Sequence, residues 1–505
     1  IGGIHEISFT LFYLLSFYFY MAALPGSAPY INSNKRWGKG FILSLVFFFL
    51  SILCKETALT LPFLMLFYDY SISRSSVYSS RFTVHSIMKR YIPYLIVSII
   101  YFILRTYALG GFAPEKKYTM LSSYELFINV FPLFIRYLEK LILPINMNAF
   151  YVFHPISSIF QLKGLIALIF TLGFIFLIYF FRRHRVVFLS LLWIVIPLLP
   201  VLYIPALGLN TFTDRYLYLP SVGFVVLVSL TIEKIYQLKA LRLSRRFEIV
   251  TISILIILTG LYSVGTIKRN YIWKDNYSLW TDTTKKSPDS SVAHNNLGNV
   301  YFEQQRFESA ITEYMIALKL IPDSPEAHNN LGLVYFEMGL KHKAEEEFNT
   351  ALNLSPEYPE AHLNLGNVYF KQQRFEDAIK EYLIVIKLKP NYAGAHNNIG
   401  NAYAIQGKLD EAIKEYLIVL EFTPEDAETH NNLANAYSEM GELNKAIEHY
   451  QIALRLMPDY PDAHYNLGLV YLEIGLKQKA EEEFKTVLKL KPDFTPAKKA
   501  LESIK

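Results

Sequence analysis

A 34-residue period in the second half of the chain constrains the fold more than any other feature. The same stretch of residues recurs, as in His294–Tyr301 and His328–Tyr335. A repeat of this length cannot bury its apolar face alone and becomes stable by stacking on its neighbours. The period therefore predicts an elongated array. The prolines that mark it are Pro288, Pro322, Pro356, Pro390, Pro424, Pro458 and Pro492.

The residue types at fixed positions identify the repeat. Leu-Gly, Tyr, Ala, an aromatic residue and Pro at constant offsets in a 34-residue unit are typical of the tetratricopeptide repeat (TPR). Each unit is expected to form two antiparallel helices that cross at the small residues, and the proline ends the second helix. We predict six repeats over residues 291–494 and a polar capping helix over residues 495–505.

Charge and hydrophobicity divide the chain near residue 270. Residues 1–270 contain 25 Lys/Arg and 9 Asp/Glu, whereas the remainder contains 24 and 35. Long runs of Phe, Leu, Ile and Tyr are confined to the first part. We therefore predict an all-α protein with a polytopic transmembrane helical domain over 1–270, a linker helix over 271–290 and then the TPR α-solenoid.

The ends and the cysteine content add two expectations. Neither an initiator methionine nor a signal-peptide pattern precedes Ile1, so we expect the chain to begin partway through a larger protein. The single cysteine, Cys54, excludes an internal disulfide and a cysteine-based metal site.

Eight apolar segments are candidate membrane spans. Several are shorter than the roughly 20 residues of a full crossing, so tilt and aromatic ends must make up the difference. Basic residues lie in every second connection, which predicts that these connections face the cytoplasm. The last span then delivers the repeats to the extracytoplasmic side, provided that residues 41–68 form two spans and not one. The segments are Ile7–Ala23, Phe41–Leu53, Ala58–Tyr68, Tyr91–Leu104, Leu165–Phe181, Val186–Ile204, Ser221–Ile235 and Ile249–Gly265.

Ionisable residues in the outward connections are the candidate functional groups, because charge near hydrocarbon is expensive. Arg215 is predicted to bind a lipid-linked phosphate, since a guanidinium matches phosphate oxygens in a two-pronged fashion. The alternative is an aromatic belt with a snorkelling charge. Lys55 and Glu56 either face an active-site cleft or form a self-neutralising pair in a turn. Glu6 is either an acid/base group or a helix-end charge.

The order of the motifs resembles one family. Cys54-Lys55-Glu56 comes first, Arg215-Tyr-Leu-Tyr-Leu-Pro220 follows, and Trp273-Lys-Asp-Asn-Tyr-Ser-Leu-Trp280 leads into the repeats. This combination resembles the transmembrane-and-TPR O-mannosyltransferases and their bacterial relatives, which are polytopic glycosyltransferases of the GT-C type. The resemblance implies an integral protein of the plasma or inner membrane that transfers a sugar from a polyprenyl-phosphate donor to protein or glycan hydroxyls on the extracytoplasmic face.

The chemistry of such a transfer assigns candidate roles. It needs a carboxylate base for the acceptor hydroxyl and cations for the leaving phosphate. Glu6 lies where the family has an acidic residue in a Gly-Arg-x-Asp pattern, with Ile4 in place of the arginine. No metal and no cofactor beyond the donor substrate is expected. The candidate catalytic residues are Glu6 and Glu56, the candidate substrate-binding residues are Lys55, Asp214, Arg215 and Tyr218, and Arg105 is a further candidate cation.

One asparagine recurs at the same position of all six repeats, on the first helix, whose faces line the concave side of such solenoids. Asparagine carries a donor and an acceptor, so a row of them is able to hold an extended peptide backbone. This row resembles the asparagine ladder of the O-GlcNAc transferase repeats. The alternative is that these residues only bond the neighbouring helix. They are Asn296, Asn330, Asn364, Asn398, Asn432 and Asn466.

Other features of the repeats favour structural roles. The histidines at the start of each repeat are predicted to pack in the core and not to bind metal. The acidic runs Glu345–Glu347 and Glu481–Glu483 are predicted to be solvated faces. No phosphate-binding glycine loop and no basic, aromatic nucleic-acid surface is present in the sequence.

Two hypotheses of different classes remain. The first is a membrane glycosyltransferase whose TPR arm captures the acceptor protein. The second is a non-enzymatic scaffold, a membrane anchor that displays TPRs to assemble an envelope complex.

Overall fold

The computed structural model describes residues 2–23, 39–73, 84–109, 122–143, 155–202, 214–237 and 270–504, with a few isolated positions between 253 and 268. Every regular element in these ranges is a helix, which confirms the all-α prediction. The chain has two compact units, residues 1–290 and residues 291–505, and each is described by itself.

The first unit is a bundle of apolar helices joined by short 3₁₀ segments. The 3₁₀ segments in the described ranges are Glu56–Thr60, Phe181–Arg183, Ile196–Leu202 and Asp214–Leu217. The α-helices are α1 (Gly2–Ala22), α2 (Lys39–Cys54), α3 (Leu61–Ser73), α4 (Val84–Leu109), α5 (Ser123–Ile142), α6 (Leu162–Phe180), α7 (Arg185–Val195), α8 (Tyr218–Gln237) and α9 (Asn276–Lys286).

Aromatic side chains and one buried ion pair hold α1, α3, α4 and α7 together. The rings of Phe17 and Trp193 meet edge to face with centroids 4.7 Å apart. Asp69 is buried, and its Oδ2 accepts hydrogen bonds from Tyr20 Oη and from Arg90, both at 2.6 Å. A buried carboxylate is expensive unless it is paired and hydrogen-bonded, so this cluster fixes the ends of three helices against one another.

Among the residues that the structure describes, two helical segments are long and apolar enough to cross a membrane, Leu162–Arg183 and Arg185–Leu202. The apolar parts of α1 and α2 are shorter. The backbone leaves the helical conformation at Lys55, with φ −164° and ψ 134°, so residues 41–68 form two helices and not one. The predicted span over residues 249–265 lies outside the described residues. The number of crossings and their orientation therefore stay predictions.

The second unit is an α-solenoid of helix pairs with a final helix, as the repeat predicts. Each first helix has 13 residues and each second helix has 14. The pairs are α10 (Ser291–Glu303) and α11 (Phe307–Leu320), α12 (Pro325–Glu337) and α13 (Lys341–Leu354), α14 (Pro359–Lys371) and α15 (Phe375–Leu388), α16 (Ala393–Ile405) and α17 (Leu409–Phe422), α18 (Ala427–Glu439) and α19 (Leu443–Leu456), α20 (Pro461–Glu473) and α21 (Lys477–Leu490), followed by α22 (Thr495–Ile504).

Two positions of the repeat explain why the helices pair so closely. A Cβ atom on Gly366 would lie 2.5 Å from Cε1 of Tyr382, so glycine allows these two helices to approach this closely. The fifth repeat has Ala434 at the same position. The turn between the helices needs a left-handed residue, which is glycine in four repeats, as at Gly407 with φ 74°. In the first and third repeats a glutamine takes this conformation, and Gln373 has φ 63°.

Candidate functional site

Two predicted motifs of the first unit meet around one small cavity, the Lys55 cavity. Its volume is about 10 Å³, which corresponds to a single water-sized group. Lys55 enters it from the turn after α2, and the turn before α8 supplies two tyrosines. The lining residues are Phe9, Lys55, Thr57, Pro197, Tyr216, Tyr218 and Leu219.

Aromatic rings surround the ammonium group of Lys55. Its Nζ lies 4.2 Å from the ring centroid of Tyr216 and 5.7 Å from that of Phe9. Both distances are within the range of a favourable cation–π interaction. The two rings therefore hold the ammonium group of Lys55 at the cavity.

Glu56, the adjacent residue, is engaged elsewhere. Its Oε1 forms an ion pair with the guanidinium of Arg105 on α4. Arg105 in turn donates a hydrogen bond of 2.8 Å to Tyr101 Oη, which fixes the guanidinium. Lys55 and Glu56 therefore contact different elements. Glu56 remains a candidate carboxylate, and Arg105 is the residue that positions it.

The remaining candidates of this unit are placed by their backbone only. Glu6 lies in α1, one helical turn before Phe9, and Asp214 and Arg215 lie in the 3₁₀ segment directly before Tyr216. The side chains of these three residues lie outside the described residues. Phe9 and Tyr216, which lie near them in the chain, both line the Lys55 cavity.

Sequence reasoning selected Lys55 and Tyr218 but missed the other five residues that line this cavity. Phe9 and Leu219 are apolar residues of apolar helices and carried no signal. Tyr216 belongs to a motif that the sequence reasoning quoted, but only the neighbouring Arg215 and Tyr218 were selected. Thr57 follows the Lys-Glu pair directly, and its position in a 3₁₀ turn was the available signal. Pro197 carried no signal, since it comes from the end of an apolar helix.

In the solenoid, the six predicted asparagines lie half-buried on the first helices. Five of them donate a hydrogen bond through Nδ2 to an asparagine of the preceding repeat, as Asn398 does to Asn367 Oδ1 at 3.1 Å. Asn296 in the first repeat donates instead to the carbonyl of Val292. The equivalent bonds are those of Asn330, Asn364, Asn432 and Asn466.

This contact is the one that the structural alternative predicts. Asn364, Asn398 and Asn466 each donate to one asparagine, whereas Asn330 and Asn432 each donate to two. Within the described residues, the Oδ1 atoms of Asn364, Asn398 and Asn466 accept no hydrogen bond. Each of these amides therefore keeps an acceptor and a second donor. Peptide binding by this row stays a prediction that the geometry permits.

A second asparagine row is oriented by tyrosines within the same repeat. Tyr382 Oη donates to Asn367 Oδ1 at 2.8 Å, and the same oxygen accepts from Asn398. The Nδ2 group of Asn367 is then the remaining hydrogen-bonding group of this amide. The equivalent tyrosine–asparagine pairs are Tyr314–Asn299, Tyr416–Asn401 and Tyr450–Asn435.

The second and sixth repeats lack both members of this pair. Leu333 and Leu469 replace the asparagine, and Phe348 and Phe484 replace the tyrosine. The phenolic hydroxyl is thus present only where an asparagine accepts its hydrogen bond. This correlation within one chain is what the cost of an unpaired buried hydroxyl predicts.

A pocket opens on this surface between the second and fourth repeats. Its volume is about 250 Å³, which suits one amino-acid side chain rather than a whole small-molecule ligand. Aromatic rings form its walls and amides its polar part. The lining residues are Phe336, Asn367, Phe370, Lys371, Tyr382, Asn398 and Asn401.

The repeat histidines pack between the two helices, but as members of polar pairs. His362 Nδ1 lies 2.6 Å from Glu381 Oε2, and its Nε2 donates to the Pro356 carbonyl at 2.9 Å. Burial is the largest single influence and lowers the pKa of His362. The hydrogen bonds to Glu381 and the Pro356 carbonyl and the charge of Glu381 together outweigh it, so the pKa is raised. The prediction of wholly solvated acidic faces is wrong at Glu347 and Glu483, which pair in the same way with His328 and His464.

The fifth repeat departs from this pattern. His449 takes the place of the glutamate, and its Nδ1 lies 3.0 Å from Nδ1 of His430. The two rings stack with centroids 5.2 Å apart. Burial and the neighbouring His430 lower the pKa of His449.

Comparison with known proteins identifies the repeats and names a group of relatives. A TPR repeat model matches residues 298–339, 343–373, 366–407, 400–441 and 434–475, and a tetratricopeptide repeat model matches residues 461–494. Protein O-mannosyl-transferase TMTC1 of Homo sapiens is 30% identical over 142 residues, which is 28% of this chain and 16% of the relative. Protein O-mannosyl-transferase Tmtc2 of Drosophila melanogaster is 32% identical over 130 residues, 26% of this chain and 13% of the relative.

These similarities lie over the TPR region, and the chain spans less than a fifth of the length of either relative. A protein O-mannosyl-transferase of Caenorhabditis elegans is 29% identical over 206 residues, 39% of this chain and 28% of the relative. Among solved structures, YrrB, a TPR protein with an unusual peptide-binding site, is 25% identical with a TM-score of 0.32, over 36% of this chain and 95% of that one.

Proposed function

We propose that the chain is part of a membrane glycosyltransferase that transfers a sugar from a polyprenyl-phosphate donor to hydroxyls of protein or glycan. By analogy with the relatives the sugar is mannose. The transfer takes place on the extracytoplasmic face of the plasma or inner membrane, and the TPR arm binds the acceptor. The names of the relatives, the TPR repeats and the apolar helices of the first unit support this function.

The single observation that carries the proposal is the meeting of two distant motifs at the Lys55 cavity. Lys55 comes from the turn after α2, and Tyr216 and Tyr218 come from the turn before α8. Glu6 precedes Phe9 by one helical turn and Arg215 directly precedes Tyr216, so we expect both side chains near this cavity. A carboxylate and two cations at one site are what transfer from a phosphate-linked sugar requires.

The residues divide the reaction between them. Glu6 takes the proton of the acceptor hydroxyl as the hydroxyl oxygen attacks the anomeric carbon, and the bond from that carbon to the phosphate oxygen breaks. Lys55 and Arg215 stabilise the negative charge of the polyprenyl phosphate that leaves. The ion pair of Glu56 with Arg105 holds the Lys55 turn against α4.

The test is sugar transfer from radiolabelled polyprenyl-phosphate mannose to membrane protein, with the full-length protein reconstituted in lipid. Lys55→Ala, Arg215→Ala and Glu6→Gln are each expected to lower the rate about 100-fold or more, the usual effect of removing a charge-stabilising group. The matched control is Arg182→Ala. Arg182 is also a cation over a tyrosine ring, 3.7 Å from the Tyr179 centroid, but in a connection predicted to face the cytoplasm.

The alternative function is an outcome of the same experiment. If no polyprenyl-linked sugar is transferred by the wild-type protein while the TPR arm still binds protein partners, the glycosyltransferase proposal is wrong. The membrane-anchored scaffold then explains the chain. Equal activity of all three variants and the Arg182 control would show that the Lys55 cavity is not the transfer site.

A further inference from the structure

Thr57 carries a buried hydroxyl that the fold itself does not use. The residue lies in the 3₁₀ segment Glu56–Thr60, is only 8% exposed and lines the Lys55 cavity. Its Oγ1 is buried and makes no hydrogen bond in the part of the chain that the structure describes. Thr60, three residues later, donates to the Thr57 carbonyl at 2.7 Å. The same short segment thus satisfies one threonine and leaves the other unpaired.

An unpaired buried hydroxyl costs about 1–3 kcal/mol. Buried polar groups nearly always have a partner, so an exception at a cavity indicates a group that is satisfied when something binds there. Folding alone does not require a hydroxyl at this position. Valine has nearly the same shape as threonine and would fill the same space without an unpaired hydroxyl.

The surroundings of Thr57 select the kind of partner. Lys55 provides a positive charge at the same cavity, and Phe9, Pro197 and Leu219 provide apolar walls. A cation and a hydroxyl donor in an apolar setting suit an anionic oxygen, because such hydrogen bonds are stronger than neutral ones and gain further strength away from water.

We propose that the Thr57 hydroxyl donates a hydrogen bond to a non-bridging phosphate oxygen of a polyprenyl phosphate, whose charge Lys55 offsets. The ligand class rests on the proposed function. The cavity volume of about 10 Å³ admits one oxygen-sized group, so a phosphate oxygen, and not the sugar ring, reaches Thr57. Thr57 is thereby a binding residue for the head group shared by the donor and the product of the transfer.

The experiment measures binding without transfer, using the full-length protein in lipid nanodiscs. The probes are a radiolabelled polyprenyl phosphate without sugar and the uncharged polyprenol of the same length. Thr57→Val is expected to weaken polyprenyl-phosphate binding about tenfold or more and to leave polyprenol binding unchanged, since a hydrogen bond to a charged group is lost. Thr57→Ser keeps the hydroxyl and is expected to bind like the wild type.

Thr10→Val is the matched control. Thr10 Oγ1 is also buried without a hydrogen bond within the described residues, but Thr10 does not line the cavity. This variant is expected to bind both probes normally. The control shows whether removing any buried unpaired hydroxyl weakens binding, or whether only the loss of a contact with the ligand does.

Three results would overturn the inference: Thr57→Val binding polyprenyl phosphate like the wild type, Thr57→Val weakening both probes equally, or wild-type protein that does not prefer the phosphate over the alcohol. The assay contains no sugar, so its outcome is independent of the transfer assay. Protein that binds the phosphate through Thr57 but transfers no sugar would refute the proposed function alone.

Discussion

The pairing of Asn367 with Tyr382 in the third repeat gives a quantitative test of what stabilises the solenoid. Tyr382 is 1% exposed, and its hydroxyl donates to Asn367 Oδ1 at 2.8 Å. Asn367→Leu removes the acceptor and leaves the buried hydroxyl unpaired, at a cost of about 2 kcal/mol. Tyr382→Phe removes the hydroxyl, but Asn367 Oδ1 still accepts from Asn398, so the expected cost is about 1 kcal/mol.

The double variant recreates the leucine–phenylalanine pair of the second repeat. Its hydroxyl is gone, so the penalty for an unpaired group disappears, and the loss is expected to be about 1 kcal/mol. The coupling between the two substitutions is then about 2 kcal/mol, within the range seen for residues in contact. Urea unfolding of residues 291–505, which have their own core, measures each free energy of unfolding.

The reciprocal exchange in the second repeat is the control. Phe348→Tyr alone buries a hydroxyl beside Leu333, because Phe348 is fully buried, and is expected to destabilise by about 1–3 kcal/mol. Adding Leu333→Asn is expected to restore most of the loss. Additive effects in either repeat, with a coupling below about 0.5 kcal/mol, would refute the hydrogen-bond explanation of the correlation.

Three contacts elsewhere make shorter predictions. Because the pKa of His449 beside His430 is lowered in the folded state, its contribution to the free energy of unfolding is fully present above the unfolded pKa of about 6.5 and is lost as pH falls through the folded pKa. The increase in urea midpoint caused by His449→Glu should therefore be larger at pH 5 than at pH 8. An increase that does not change with pH would contradict this. Gln373→Gly should raise stability by about 1 kcal/mol in thermal unfolding, because glycine adopts a φ of 63° without strain, and a loss would contradict it. Asp69→Asn should destabilise the first unit by about 3 kcal/mol in detergent, because Arg90 loses its buried partner; a change below about 1 kcal/mol would contradict it.

The period alone was enough to predict the solenoid, because the residue type at each recurring position is set by the same packing contact in every repeat. The glycine at 366 and the aromatic residue at 382 were expected at a close helix crossing, and their contact confirms it. The partners of the acidic residues were harder to predict, because a run of charged residues does not indicate which side chains the neighbouring helix presents to it. The signal was present as a spacing of 19 residues between His328 and Glu347 and its equivalents, which brings the two side chains together across the pair.

In the first unit the sequence identified candidate motifs, but it did not predict which of them lie close together in the fold. The Lys55 turn and the Arg215 turn were both assigned to outward connections, yet nothing in their spacing along the chain places them at one cavity. The choice between a self-neutralising pair and a cleft at Lys55 and Glu56 was left open, and Glu56 pairs with Arg105 of a different helix. Such contacts depend on how helices pack, which apolar sequences with little periodic polarity do not specify.

The direction of the amide contacts has a consequence for how the protein is made. Asn398 donates to Asn367 in the repeat before it, and that oxygen is already held by Tyr382 of its own repeat. The first, third, fourth and fifth repeats, which carry this tyrosine–asparagine pair, therefore each offer a fixed acceptor to the repeat that follows along the chain. A ribosome delivers the repeats in that same order. At these four junctions a newly synthesised repeat thus meets an acceptor that is already oriented, which favours growth of the solenoid from its first repeat as the chain emerges.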